Sequence, residues 1–451
     1  MKTLLKESGQ KGPANNRLAI WGLSFAVFIA SLDTAITNTA LPFISEELKT
    51  AFAASIWVVN SYQLVMVALI LPLAVLADQL SYKLIFLMGL FIFTLASFLC
   101  GDANTINELI FARAVQGLGA AAILGTNIAL VRLIYSPEKL GIGLGINAFI
   151  IAAGLAGGPV ISSMILTQWS WHWLFFINIP VGICALLFSY FLPHQQQSAN
   201  RKFNFISAIL TIVMFSSIIY GLGEMVVSNS WGWATICIVI GCISGLLLVK
   251  RDSKHLHPIF PVDLFQGPIF SLSVITAFFA FITQGLVLVA LPYIFSKTGY
   301  SEGEVGFLIA PWPIMGAIMA PIAGFLSNKI SAAYLGAVGL VLLGTSIGSL
   351  AFFQGDIASF LIVIAMIICG LGFGLFLTPN QRMLMSNAPI NRSGAAGGML
   401  NVARTSGQAV GVALVGLSIN LNPNNLSIML WVGASFALIA SIISIFRIIK
   451  G

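Results

Sequence analysis

Long apolar stretches alternate with short polar segments along almost the whole chain. A helix needs about 20 apolar residues to cross the ~30 Å hydrocarbon core of a bilayer, and polar or turn-forming residues mark where such helices end. The pattern therefore predicts fourteen membrane-spanning helices. They cover residues 18–41, 56–77, 83–101, 107–131, 140–166, 171–192, 203–225, 231–250, 269–295, 304–327, 331–353, 357–379, 393–419 and 426–447.

The first span contains a charged residue among apolar ones. Asp33 lies in the segment SLDTAITNTALPFI, and a charged side chain at mid-membrane costs about 2.5 to 3.5 kcal/mol on insertion scales. An asparagine would fill a purely structural role at lower cost, so the aspartate favours a functional one. Because burial favours the protonated form of a carboxylate, Asp33 is the candidate proton carrier.

Polar neighbours of Asp33 follow a helical spacing. Thr37 lies one turn after Asp33, and Asn38 lies one turn after Thr34, so the four side chains form one strip that should face protein or water. For the threonines and the asparagine, hydrogen bonding between helices is the alternative to substrate binding.

Composition places the chain in lipid. Hydrophobic residues make up 58% and charged residues 8% of its 451 positions, against about 25% charged residues in soluble domains. The net charge of +7 does not indicate nucleic acid, because lysines and arginines are scattered between apolar runs. The five cysteines lack metal-ligand spacing and are interpreted as packing residues. We predict no metal and no cofactor.

Basic residues predict the orientation. Apart from two that fall inside spans, all lysines and arginines except Lys49 and Lys297 lie in loops on the side of the N-terminus. Short loops rich in these residues stay in the cytoplasm. Both termini are therefore predicted to be cytoplasmic, which requires an even number of spans.

The two basic residues inside spans are Arg113 and Arg404. By their distance along the helices, Asp33 lies about 12 Å and Arg113 about 9 Å from the outer ends of their spans. The two side chains could meet, and we predict that Arg113 tunes proton binding by Asp33. For both arginines, capping the backbone carbonyls of a broken helix is the alternative.

Aromatic and polar residues elsewhere in the spans are candidates for a substrate cavity, where apolar and cation–π contacts are common. For the aromatic residues, packing or contact with lipid is the alternative. Pro311 and Pro313 predict a bend in the tenth span. The substrate-binding candidates are Thr37, Asn38, Trp57, Tyr62, Gln63, Tyr293, Trp312 and Arg404.

Four longer motifs point to a family. The first span fits L-D-x-T-[IV]-x-N-x-A-L-P from Leu32 except for Ala35 at the threonine, and RAVQGLGAA from Arg113 fits R-x-x-Q-G-x-G-A-A. GLAGGPVISS from Gly154 fits G-x-x-x-G-P-x-x-G-G except for its two serines, and WHWLFFINIPVG from Trp171 fits W-R-W-x-F-x-I-N-x-P-x-G except for its histidine. On these motifs the chain resembles the major facilitator superfamily, specifically its fourteen-span drug:proton antiporters.

The resemblance implies an all-α membrane protein with two six-helix bundles. These would cover residues 18–193 and 269–451, with a cytoplasmic tail at 1–17 and two additional helices with linkers at 194–268. The segment GFLSNK resembles a second copy of the loop after span two, with Asn328 at the position of Asp78. Such a repeat suits alternating access, in which one half rocks against the other.

The resemblance also implies a conformational motif. The loop AVLADQLSYK keeps Asp78 and Lys83 of the family's G-x-L-A-D-R-x-G-R-K, which in the family helps to hold one conformation at the cytoplasmic face. Gln79 replaces a basic residue there and weakens that match. Gly154, Gly158 and Pro159 belong to the signature that separates exporters from importers.

The predicted function is proton-coupled export of small amphipathic molecules such as drugs. The protein is predicted to lie in the inner membrane of a bacterium as a monomer. Its predicted partners are protons, the small-molecule cargo and membrane lipids. No ATP-binding loop is present in the sequence, so a proton gradient is the expected energy source. A dedicated exporter of an endogenous metabolite, such as a siderophore, is the alternative. A membrane enzyme is disfavoured because the four histidines lie at loops or span ends, and a receptor would carry an added soluble domain.

Overall fold

Helices form every regular element in the described part of the computed structural model, which covers residues 13–135, 140–193, 203–227, 231–253, 258–327, 329–352, 359–389, 393–421 and 427–450. A single 3-10 turn precedes α10 in this part, at Leu264–Gln266. The helices are α1 Pro13–Glu47, α2 Phe52–Gln79, α3 Tyr82–Gly101, α4 Ile106–Ile134, α5 Leu140–Leu166, α6 Trp173–Phe176, α7 Asn178–Ser189, α8 Phe205–Val227, α9 Trp231–Asp252, α10 Pro268–Lys297, α11 Glu302–Ile309, α12 Pro311–Leu326, α13 Ala332–Phe352, α14 Ser359–Ser386, α15 Ser393–Leu421 and α16 Ser427–Lys450.

The predicted all-α membrane architecture is confirmed. Within the described residues, 13 helical stretches are long and apolar enough to cross a bilayer. A further apolar stretch, Trp173–Ser189, is shorter. The helices often extend beyond the predicted spans, because a helix can continue into the polar zone outside the hydrocarbon core. Large apolar side chains on the outward faces, such as Phe149 and Leu246, remain exposed, as expected for a surface in contact with lipid.

Two spans are interrupted by prolines. A proline lacks the amide hydrogen and its ring collides with the carbonyl four residues earlier. Pro180 stands four residues after Phe176, where α6 ends, and Pro313 stands four residues after Ile309, where α11 ends. The helical assignment is interrupted at Ala310, in the span where the sequence predicts a bend, and at Ile177, inside the predicted span 171–192.

The helices form two groups joined by a separate pair. Helix α1 packs on α5 and α7, and α4 packs on α2 and α3; in the second group α10 packs on α15 and α16, and α14 packs on α12 and α13. Helices α8 and α9 pack on each other, and α8 also contacts α2 and α15, one helix from each group. Direct contacts between the groups join α2 to α15, α5 to α11 and α12, and α1 to α10.

The second group repeats the first with a fixed shift in residue number for each pair of equivalent helices. A glycine of α5 packs on the backbone of α1, and a glycine of α15 packs in the same way on α10. The first, Gly154, faces Phe28, Ser31 and Leu32, and the second, Gly407, faces Phe278, Phe281 and Ile282. Residues of α10 therefore stand 250 positions after their equivalents in α1, and residues of α15 stand 253 positions after theirs in α5.

Another pair of close contacts gives the same register. Gly117 of α4 packs on the backbone of Tyr62, and Gly370 of α14 packs on the backbone of Trp312. The shift of 250 positions also joins Asp78 to Asn328, the match that the sequence predicted, although Asn328 lies outside the described residues. The register therefore identifies an equivalent in the second group for each site residue of the first.

Helix α5 lies unusually close to α1. A Cβ added at Gly158 would overlap the Cβ of Ala35 and would lie 3.0 Å from the carbonyl carbon of the same residue. A backbone obstacle of this kind cannot rotate away. Asp33 lies between the segments of α1 that Gly154 and Gly158 contact, so these two glycines fix the position of α1 on either side of the carboxylate.

Replacing Gly158 with alanine is therefore expected to destabilise the protein by about 1 to 3 kcal/mol through overpacking. Gly157→Ala is the matched control, because its Cβ would meet Ile161 Cδ1 at 3.4 Å and Leu32 Cδ1 at 3.6 Å, which are ordinary contacts with flexible side-chain ends. The measurement is the thermal unfolding midpoint of each variant in detergent. Equal midpoints for the two variants would contradict the close packing of α1 and α5.

Candidate functional site

A buried ion pair lies inside the first group of helices. Arg113 Nη1 of α4 donates a hydrogen bond of 2.5 Å to Asp33 Oδ2 of α1. Each side chain is only 1% exposed. The predicted meeting of these two residues is confirmed, and the carboxylate points into protein rather than into lipid.

The second oxygen of the carboxylate is held by two amides. Gln116 Nε2 donates to Asp33 Oδ1 at 3.0 Å, and Asn178 Nδ2 donates to the same oxygen at 2.8 Å. Gln116 also donates to the Ser97 hydroxyl at 2.9 Å. Both carboxylate oxygens of Asp33 are therefore hydrogen-bonded, one to a charged donor and the other to two amides.

Arg113 has further partners that do not involve Asp33. Its Nε donates to the Val58 carbonyl at 3.2 Å, and its Nη1 also donates to Gln116 Oε1 at 2.5 Å. The guanidinium lies 4.2 Å from the centroid of the Tyr62 ring, a cation–π distance. The arginine would therefore remain hydrogen-bonded if the carboxylate became neutral.

Local sequence explains how the helices place these groups. Thr105 and Glu108 form a capping box, in which the Glu108 amide donates to the Thr105 hydroxyl at 3.3 Å and the Thr105 amide donates to Glu108 Oε2 at 3.2 Å. This box starts α4 and places Arg113 about two turns inside it. The break caused by Pro180 makes Asn178 the first residue of α7, beside Asp33.

The second group of helices lacks this charged network. By the register of the repeat, Thr283 is the equivalent of Asp33, and Met366 is the equivalent of Arg113. The Thr283 hydroxyl donates to the Gly433 carbonyl at 3.0 Å and forms no charged contact. Among the residues that the structure describes, an ionisable pair at this level of the bundle occurs in the first group and not in the second.

The aromatic candidates lie in different places. Tyr62 is buried against Arg113, and Trp312, its equivalent in the repeat, is buried with its ring 6.3 Å from that of Phe373. Trp57 packs on Tyr220 of α8, with ring centroids 5.4 Å apart. Tyr293 lies near the end of α10 against Phe52, with centroids 4.3 Å apart. They do not form one aromatic cluster.

The polar candidates differ in whether their side chains have hydrogen-bond partners. The Thr37 hydroxyl donates to the backbone carbonyl of Asp33 at 2.9 Å, which favours a structural role. Asn38 Oδ1 and both side-chain polar atoms of Gln63 are buried without a hydrogen-bond partner in the described part of the chain. Buried polar atoms are nearly always paired, so water or cargo is the expected partner of these groups.

Arg404 lies in the middle of α15 and is partly exposed, and α15 packs on α2 across the contact between the two groups. The predicted alternative, a cap on the carbonyls of a broken helix, lacks support, since α15 is continuous from Ser393 to Leu421. Arg404 thus belongs to the interface between the groups rather than to the Asp33 network.

The residues of the conformational motif are only partly described. Lys83 is buried and its ammonium donates to the Tyr190 carbonyl at 2.5 Å, just beyond the last residue of α7. A cation at that end of a helix is favourable. The side chain of Asp78 lies outside the described residues. The Pro159 carbonyl faces Gly306 of α11, and Ser163 donates to the Gly303 carbonyl at 2.7 Å, so this part of α5 contacts the second group.

Two residues of the site were not predicted from sequence, Gln116 and Asn178. Both stand in the motifs quoted above, at the glutamine of R-x-x-Q-G and the asparagine of I-N-x-P. The signal was therefore present, but amides are common in membrane helices, and only the fold shows that both reach one carboxylate oxygen. No group of histidine, cysteine, aspartate or glutamate side chains that could hold a metal occurs among the described residues.

Comparison with known proteins gives the same architecture. A model of the Major Facilitator Superfamily matches residues 23–412 and, separately, residues 273–449. The solved structure of a POT family transporter in complex with 5-aminolevulinic acid superposes with a TM-score of 0.73 over 98% of both chains, at 14% sequence identity. That likeness concerns the fold.

Several bacterial transporters are similar in sequence. Uncharacterized transporter YebQ of Escherichia coli (strain K12) is 40% identical over 95% of both chains. Multidrug resistance protein Stp of Mycobacterium tuberculosis (strain CDC 1551 / Oshkosh) is 30% identical over 90% of this chain and 78% of its own. Riboflavin transporter RibZ of Clostridioides difficile (strain 630) is 29% identical over 87% of this chain and 85% of its own. Since the family model matches most of its length, the chain belongs to the Major Facilitator Superfamily of membrane transporters.

Proposed function

We propose that this transporter is a proton-coupled antiporter that exports small amphipathic molecules by alternating access. The observation that carries the proposal is a buried carboxylate, Asp33, held by Arg113, Gln116 and Asn178 in one bundle only. An ionisable group that deep in a membrane bundle marks an ion or proton pathway by default. The energy source is the proton gradient, and no cofactor takes part.

Protonation would act on the packing of three helices. A neutral carboxyl group loses most of its attraction for Arg113 and can accept fewer strong hydrogen bonds from the amides. Arg113 keeps the Val58 carbonyl, Gln116 and the Tyr62 ring, so its hydrogen-bond donors stay partly paired although its charge is no longer balanced. Proton binding therefore weakens the attachment of α1 to α4 and α7, and the unbalanced charge of Arg113 favours a rearrangement of these helices.

The two bundles of the repeat are the units that move relative to each other during transport. We assign residues 18–193 and 269–451 to the two bundles, with residues 194–268 as the additional pair, fourteen spans and both termini in the cytoplasm of a bacterium. Helix α5 joins the proton site to the second bundle, because it packs on α1 through Gly154 and Gly158 and on α11 through Ser163. A shift of α1 on protonation would thus be transmitted to the contact between the bundles.

Transport by reconstituted protein tests the proposal. In liposomes that are acidic inside, antiport should accumulate cargo inside, because protons leave as cargo enters. Conversely, adding cargo outside should raise the pH of the lumen, because protons leave in exchange. A pH-sensitive dye trapped in the liposomes measures this rise. The panel contains ethidium, neutral drugs, riboflavin and siderophores, with protein-free liposomes as control for weak bases that accumulate passively. Proton coupling would be contradicted if the cargo flux did not depend on the proton gradient and the dye showed no change in lumenal pH.

A dedicated exporter of one endogenous metabolite is the second candidate. The helices α12 to α16 contain no aspartate or glutamate in the sequence, and exporters of cationic drugs in the resembled family place further carboxylates there. Similarity to both a multidrug resistance protein and a riboflavin transporter fits either candidate. A narrow response within the panel, limited to one chemical class, would favour this second function over drug export and antibiotic resistance.

A further inference from the structure

Arg404 is a cation in the middle of a membrane-spanning helix, and no acidic side chain in the described part of the chain forms an ion pair with it. It is the twelfth residue of α15, so it lies about 16 Å from the cytoplasmic end of that helix at 1.5 Å per residue. Its side chain is partly exposed, and its helix packs on α2 of the other bundle. A charge at this depth is costly unless something neutralises it.

The sequence offers no counter-ion at this level. Of the 14 acidic residues, Asp33 is the one within the middle of a span, and it is already bound by Arg113. Glu224 stands near the outer end of α8, about 12 Å further out than Arg404 by helix rise. The acidic residues after α9 are Asp263, Glu302, Glu304 and Asp356, all at helix ends or in loops.

Two amides lie beside Arg404. Gln408 follows it by one helical turn on the same face of α15, and Gln408 Nε2 donates to Gln284 Oε1 of α10 at 2.9 Å. Both glutamines are buried. An arginine with adjacent amide donors is a group that binds carboxylates, because the planar guanidinium can donate two parallel hydrogen bonds to one carboxylate.

The repeat shows that this polar set is an addition to the common framework. The equivalents of Arg404 and Gln408 in α5 are Ile151 and Leu155, and the equivalent of Gln284 in α1 is Thr34. The charged pair of the first bundle has the uncharged equivalents Thr283 and Met366. The first bundle thus has the pair Asp33 and Arg113, and the second has Arg404 with two glutamines. At the equivalent positions, the other bundle has apolar or uncharged residues.

We propose that Arg404 binds the cargo directly and that the cargo carries a carboxylate group. This inference rests on the proposed export function and specifies its substrate class. A carboxylate would supply the missing negative charge, with Gln408 and Gln284 as additional hydrogen-bonding groups. A cationic molecule would instead meet repulsion from Arg404. The first bundle then handles the proton and the second handles the anionic end of the cargo.

Binding to purified protein in detergent, without any gradient, tests this inference. The probes are naphthaleneacetate, naphthaleneacetamide and naphthylmethylammonium, which share a ring system and differ in charge. Wild-type protein should bind the carboxylate most tightly. Arg404→Gln should weaken binding of the carboxylate by about 10- to 100-fold, the usual value of a charged hydrogen bond, and should leave binding of the amide within about twofold.

Three further variants separate charge from folding. Arg404→Lys should keep a preference for the carboxylate, and Lys297→Gln, which removes one exposed positive charge from the end of α10, should behave as wild type. Gln408→Glu keeps the arginine but places a carboxylate one turn away, so it should abolish the preference. Size-exclusion profiles establish that each variant is folded.

The outcomes are distinct from those of the proposed function. Equal binding of the amide or the amine by wild-type protein would overturn the inference, as would an unchanged preference in Arg404→Gln or Gln408→Glu. A protein that binds the carboxylate selectively but ignores a proton gradient in liposomes would refute proton coupling and retain Arg404 as the anion site. Gradient-driven transport of cations without selective binding of the carboxylate would refute the anion site at Arg404 and retain proton coupling.

Discussion

Asp33→Asn is expected to abolish proton-driven accumulation of cargo while the protein remains folded. Asparagine has nearly the same shape as aspartate but cannot release a proton, so the variant resembles the permanently protonated state. With one proton exchanged per cargo, a force of about 150 mV corresponds to about 3.5 kcal/mol and supports accumulation of a few hundredfold. In the variant, the accumulation ratio should fall to about one, whereas downhill exchange of cargo should persist.

The measurement is the ratio of cargo inside and outside acidic liposomes at steady state. Thr283→Val is the matched control, because it removes a hydroxyl at the equivalent position of the second bundle, where no charged contact exists. That variant should accumulate cargo as wild type does. Gradient-driven accumulation in Asp33→Asn would move the proton site to another residue.

Much of the architecture follows from hydropathy, because every backbone polar group in lipid must be satisfied within a helix. The meeting of Asp33 and Arg113 could also be predicted, since the depth of each residue follows from helix rise. The partner of Trp57 could not, because the position of α8 against α2 depends on tertiary packing that no local pattern encodes. The break at Ile177 had a signal in Pro180, but a single proline in an apolar run does not distinguish a break from a bend.

The sequence alone could not show which residues of the second bundle are equivalent to the ion pair of the first bundle. The sequence repeat was visible at Asp78 and Asn328, but the equivalence of Asp33 with Thr283 depends on the close helix contacts that fix the register. Once that register is known, the second bundle shows how these helices pack without an ion pair. This gives a direct test of whether the pair serves folding or coupling.

Arg113→Met alone should strongly destabilise the protein. It leaves the Asp33 carboxylate buried without its cation, and breaking one partner of a buried ion pair costs about 3 to 5 kcal/mol. If the variant folds well enough to assay, the pH dependence of transport should differ from that of the wild type, because the positive charge beside Asp33 is lost. Gln116 and Asn178 remain hydrogen-bonded to Asp33, and neither replaces the lost positive charge.

The double variant with Asp33→Thr and Arg113→Met copies the equivalent pair of the second bundle, Thr283 and Met366, into the first. Replacing both partners of a buried ion pair by uncharged groups is often neutral or stabilising. The double variant should therefore recover at least half of the thermal stability that Arg113→Met loses, as measured by the unfolding midpoint in detergent. It should nevertheless show no gradient-driven accumulation in acidic liposomes. If stability is not recovered, the ion pair is required for folding, and if accumulation is recovered, proton coupling does not pass through Asp33.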